Sequence, residues 1–85
     1  GLYAKGKELM GRGNIQPARM LFRRAAEAGH AESAFALAGT YDPHELAKIK
    51  VIGLQPDVAM ARRWYTKARE LGAEGAAERL TRLGN

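Results

Sequence analysis

Cysteine is absent from the chain, which excludes a disulfide framework, a thiolate zinc site and a cysteine nucleophile. No stretch approaches the roughly 18 consecutive apolar residues that would mark a membrane span. No charged start followed by an apolar run marks a secretory signal. Aromatic side chains make up only 7% of the residues, and valine and isoleucine are few, so the sequence is poor material for strands. What is abundant is alanine, which favours helix and lets helices approach closely while burying little area. With 85 residues there is room for one domain. A chain of that size buries only about 60% of its unfolded surface, so its core is marginal. The composition predicts an all-α fold. The first residue is Gly1 rather than methionine, and the sequence is read as a segment of something longer.

The sequence repeats itself. Displaced by 43 positions, Ala18 falls on Ala61, Arg19 on Arg62, Ala25 on Ala68, Glu27 on Glu70 and Gly29 on Gly72. Ala34 and Leu37 fall on Ala77 and Leu80, and Leu21-Phe22 lies over Trp64-Tyr65. Each copy opens on an N-cap residue, Asn14 or Asp57, and closes on a glycine suited to a left-handed helix terminus, Gly29 or Gly72. Pro17 sits in the first turn, where a missing N–H costs nothing. Between cap and stop, apolar residues recur at helical spacing. One helix carries Ile15, Ala18, Leu21, Phe22, Ala25 and Ala28, and the other carries Val58, Ala61, Trp64, Tyr65, Ala68 and Leu71.

Shorter helices are expected over 2–10, 31–41 and 74–83. Gly6 falls inside the first of them, a costly helix residue that would admit a close neighbour. The predicted order is short, long, short, long, short, with brief connections that make neighbouring helices antiparallel. One unit covers about 2–29. The second covers about 31–72 and carries an insert over 42–56. A capping helix over 74–83 closes the array. In the insert, Asp42-Pro43-His44-Glu45 has the order of a capping box with proline at the first helical position, and predicts a short helix over 43–48. The apolar run Val51-Ile52-Gly53-Leu54 is expected to pack back on the body.

At these residues the chain resembles the Sel-one-like repeat family, relatives of the tetratricopeptide repeats. Ala34, Leu37, Ala38 and Tyr41 match the first helix of that pattern, with alanine where the family has glycine. Ala61, Trp64, Tyr65, Ala68 and Gly72 match the second helix, as do Ala18, Leu21, Phe22, Ala25, Ala26 and Gly29. Lys5 stands where the family carries leucine, and the insert lengthens the second unit. The resemblance implies an α/α superhelix of two helix-turn-helix repeats plus a C-terminal capping helix. It also implies a bacterial adaptor or scaffold without catalytic activity, in which the short-helix face takes a protein or peptide and further repeats of a parent chain stack on its ends.

On that face the residues not needed for the core are Lys5, Glu8 and Arg12 on the first short helix, and Glu32, Phe35, Ala36 and Thr40 on the second. Phe35 lies off the Ala34-Leu37-Tyr41 stripe and is placed to anchor a ligand side chain. The net charge of +5 raises the alternative of an anionic partner on the basic long helices. Against nucleic acid, no exposed aromatics are expected to interleave with the arginines and stack bases, and no arginine-rich helix is free of the core. The expected state of these charges is local pairing, Arg23 with Glu27, and Arg63, Lys67 or Thr66 with Glu70. A purely architectural segment is the other alternative. His30 and His44 have no partners at metal-ligand spacing, Ser33 has no elbow motif and Gly11-Arg12-Gly13 follows a helix, so no catalytic residue, metal or cofactor is expected. The sequence leaves the compartment open.

Overall fold

The computed structural model describes residues 1–49 and 51–84. Among them there are six helices and no strand: α1 (Leu2–Gly11), α2 (Ile15–Glu27), α3 (Ala31–Gly39), α4 (Pro43–Leu46), α5 (Val58–Glu70) and α6 (Ala76–Leu83). The packing follows the chain. α1 lies on α2, α2 on α3, α3 on α5 and α5 on α6.

The helix ends follow from named residues. Gly29 and Gly72 both take positive φ, at 97° and 91°. Beyond each, the next N–H reaches back to a carbonyl in the last turn, His30 to Ala25 at 3.0 Å and Ala73 to Ala68 at 2.9 Å. This is the Schellman arrangement expected of a glycine stop. Gly13 closes α1 in the same way, with Asn14 N–H on the Leu9 carbonyl at 2.9 Å. Asp57 caps α5 by accepting from Met60 N–H at 3.0 Å, and His30 Nδ1 caps α3 by accepting from Ser33 N–H. Asn14 makes no such side-chain bond.

Three boundaries differ from the sequence expectation. α3 ends at Gly39 instead of running on to Tyr41, because Asp42 precedes Pro43 and is held extended, at ψ 121°. α4 stops at Leu46, two residues early. α6 starts at Ala76 and not at Glu74, since Gly75 takes a left-handed conformation at φ 86° that no helix can contain. The insert also departs from expectation. Val51 and Leu54 are half-buried, but Ile52 stands wholly exposed at the turn where Gly53 takes positive φ. The end of the insert is pinned, with Asp57 N–H donating to the Tyr41 carbonyl at 2.8 Å.

One core joins the helices. Phe22, Leu37, Trp64 and Tyr65 supply its bulk, and seven alanines, from Ala18 to Ala76, let the backbones close on them. Val58, Ala28 and Ala77 point outward despite their places in the apolar pattern. Apolar burial scales with area, so the stability of this fold is concentrated in a few large side chains.

Gly6 is buried on α1 against the Phe22 ring, and a Cβ built there would lie 2.5 Å from Phe22 Cε1. Phe22 is itself buried and cannot swing away. Gly6→Ala is therefore expected to destabilise by about 1–2 kcal/mol, overpacking outweighing the ~1 kcal/mol gain in helix propensity. Gly11→Ala meets nothing within 4 Å and is expected to be neutral or stabilising. Urea melts of the two variants check the contrast.

Candidate functional site

Two features stand out around α3: a polar cluster beneath it and a groove beside it. The cluster is centred on Asp42, whose side chain has no solvent exposure. Its carboxylate accepts from Tyr65 Oη–H at 2.7 Å, from Arg82 Nη2 at 2.7 Å and from His44 N–H at 2.8 Å. Arg82 bridges on to Glu45 at 3.0 Å, and Arg79 donates to Tyr65 Oη at 3.1 Å while pairing with Glu45 at 3.4 Å. The expected capping box is thus only half made. Asp42 caps α4, but the Glu45 carboxylate serves the arginines of α6 and Lys48 instead of reaching back.

Burial raises the Asp42 carboxyl, but the hydrogen bonds from Tyr65, His44 N–H and Arg82 outweigh it and leave the group below its ordinary value. Burial likewise raises Glu45, and bonds from Lys48 and Arg82 with the charge of Arg79 pull it below its usual range. Burial and the Asp42 carboxylate together push the Tyr65 phenol well up. A carboxyl with a lowered folded-state pKa stabilises fully above its unfolded pKa and loses that contribution as pH falls through the folded value. Acid is therefore expected to loosen the α4–α6 contact below about pH 4. In an Asp42→Asn chain, stability measured by denaturant melts should depend less steeply on pH in that range.

The groove has a volume of about 330 Å³. α1 lines it with Tyr3, Lys7 and Met10, α3 with Phe35, Ala36 and Gly39, and Glu45, Ile49 and Arg79 close the far side. The three short helices of the predicted order thus share one hollow. Its floor is aromatic and apolar, with Lys7 on one rim and the Glu45–Arg79 pair on the other.

The residues expected from sequence to meet a partner divide. Phe35 lines the groove, half-buried, with its ring 5.5 Å from that of Tyr65 and the Arg79 guanidinium 4.2 Å above it. Thr40 also lines the groove, but it is only 1% exposed there, and its hydroxyl donates to the Leu37 carbonyl at 2.7 Å and accepts from Arg19 Nε at 3.0 Å. Glu32 is exposed beside His30, and borders a smaller hollow with Tyr3 and Phe35. Lys5, Glu8 and Arg12 are exposed but do not line the groove, and Arg12 and Glu8 hold each other at 2.9 Å.

Tyr3, Lys7 and Met10 carry a sequence signal only as a set: their spacing of four and three places them on the face of α1 that also carries Gly6. Glu45, Ile49 and Arg79 had no comparable signal, because their place depends on how the insert and α6 fold back.

The basic helices also differ from expectation. The local pairs Arg23–Glu27, Arg63–Glu70 and Lys67–Glu70 are not formed within 4 Å. Instead Arg23 and Arg63 both lie over the Trp64 ring, at 5.6 and 5.2 Å. Among the described residues, no three His, Asp or Glu side chains come together to hold a metal, and no helix is long and apolar enough to cross a membrane. No protein-family model, curated protein or solved structure matches this chain.

Proposed function

We propose that the chain is a non-catalytic interaction module: an α/α solenoid of two helix-turn-helix units, closed by α6, that seats a peptide or partner protein in the groove of its short helices. The observation that carries this reading is the groove itself, an open apolar hollow lined from α1, α3 and α6 together. Neighbour-on-neighbour packing along the chain supports the repeat architecture, as do the matching glycine stops at Gly29 and Gly72. The polar cluster around Asp42 has a supporting role: it locks α4 and α6 against α5, and so fixes the groove's far side.

Peptide selection from a random display library tests the reading. Sequences retained by the wild-type chain should carry an apolar anchor for the space between Phe35 and Ile49. Ile49 is exposed on the groove wall, so Ile49→Asp should spare the fold and weaken the selected peptides about tenfold or more. A library that yields no enriched peptide, or peptides indifferent to Ile49→Asp, would overturn the assignment of the groove.

A further inference from the structure

The net charge of the chain is not spread over its surface. α2 and α5 together hold seven of the 14 basic side chains and two of the nine acidic ones, and so carry the whole +5. The remainder is balanced, in part by short ion pairs: Arg12 with Glu8, Lys48 and Arg79 with Glu45, and Arg82 with Asp42 and Glu45. On α2 and α5 no cation has a described carboxylate within 4 Å. Two of the seven are spent on the fold, Arg19 on Thr40 and Arg62 on the Gly84 carbonyl. Arg23, Arg24, Arg63, Lys67 and Arg69 are left.

Arg23, Arg63 and Lys67 share one face, while Arg24 and Arg69 lie on the outer flanks of the two helices, about 100° round α2 from Arg23 and about 160° round α5 from Lys67. Arg23 from α2 and Arg63 from α5 converge on the single ring of Trp64. Lys67, one turn beyond Arg63, borders the same hollow as Trp64 and Glu27. A guanidinium drawn to an aromatic ring keeps its N–H groups free to meet a carboxylate. Like charges gathered this way raise the local potential and favour an anionic partner.

We propose that this α2–α5 face docks an acidic polypeptide segment, independently of the groove. Two observations favour a polypeptide over a polynucleotide. None of the six aromatic side chains is exposed, so bases have nothing to stack on. Glu27 and Glu70 also border the hollow, and evenly spaced phosphates cannot skip them, whereas a polypeptide places a neutral or basic residue there.

Fluorescence anisotropy with a labelled Asp/Glu-rich peptide tests the proposal. The wild-type chain should bind, with affinity falling as salt rises. The Arg23→Gln, Arg63→Gln, Lys67→Gln triple, checked for unchanged helicity and melting, removes charges that hold no ion pair in the fold, and should weaken binding about tenfold or more. Lys67→Gln alone, which leaves both guanidinium groups on Trp64, should weaken binding about threefold. Lys5→Gln, Lys7→Gln, Lys48→Gln removes equal charge elsewhere and should change binding less than about twofold. Ile49→Asp, which disables the groove, should leave it unchanged. Absence of binding at physiological salt would overturn the proposal, as would equal weakening by the two triples. Tighter binding of an oligonucleotide of matched charge, lost in the first triple, would reassign the face to nucleic acid and overturn it as well.

Discussion

An Asp42→Ala chain is expected to be about 3 kcal/mol less stable than the wild type and to melt roughly 15 °C lower. The substitution removes the acceptor for Tyr65 Oη, the acceptor for Arg82 and the cap of α4 in one step. A hydrogen bond to a charged group contributes about 1.5–3 kcal/mol and a helix cap about 1 kcal/mol. The total stays below the simple sum for two reasons. Arg82 is one-third exposed, so water can take up its guanidinium, and Tyr65 Oη keeps its bond from Arg79. Asp42→Asn retains an acceptor and is expected to cost about half as much. Thermal melts of the two variants read the difference. A melt for Asp42→Ala within a few degrees of wild type would remove the cluster from any part in holding α6.

Trp64→Ala is expected to cost more, on the order of 3–5 kcal/mol. A domain of this size has about 5–10 kcal/mol to lose, so the variant should show a weak or uncooperative melt. Trp64 is 4% exposed, and its ring also seats Arg23 and Arg63, so alanine leaves a cavity and two guanidinium groups without a platform. Its indole N–H is buried and makes no hydrogen bond to any described residue. Trp64→Phe therefore removes an unsatisfied donor while keeping a ring, and is expected to cost only about 1–2 kcal/mol. A cooperative melt and unchanged helical circular dichroism for Trp64→Ala would show that the indole is not part of the core.

Much of the all-helical fold could be read from the chain because its signals are local. A cap, an apolar stripe at helical spacing and a glycine stop lie within some fifteen residues of one another, and Phe22, Trp64 and Tyr65 are buried as their stripes require. Gly6 was legible for the same reason, as a gap in a helix that only a close neighbour would justify. The Asp42 cluster was not. Its bonds join residues 23 and 40 positions apart, and the carboxylate that holds them has a sufficient local explanation as a helix cap. Thr40 lines the groove as its place on the short helix suggests, but only the approach of Arg19 from α2 shows that its hydroxyl is also tied into the fold. Ile52 defied the rule that apolar loops pack back, because the turn at Gly53 projects it outward.

The groove was half legible. Phe35 stood out as an aromatic off the core stripe. Tyr3, Lys7 and Met10 could have been found from their spacing. Ile49 and Arg79 reach the site only through tertiary folding of the insert and α6. The charges of the long helices were plain in the sequence, but not their lack of partners. Glutamates four residues from arginines promise pairs that these helices do not make.

Backbone amide shift mapping of the isotopically labelled chain, titrated with a display-selected peptide, tests the groove most directly. The account predicts perturbations concentrated at Lys7, Ala36, Gly39, Ile49 and Arg79, drawn from four separate stretches of sequence that meet in one hollow. Perturbations confined to α2 and α5, or the absence of any saturable change, would contradict it.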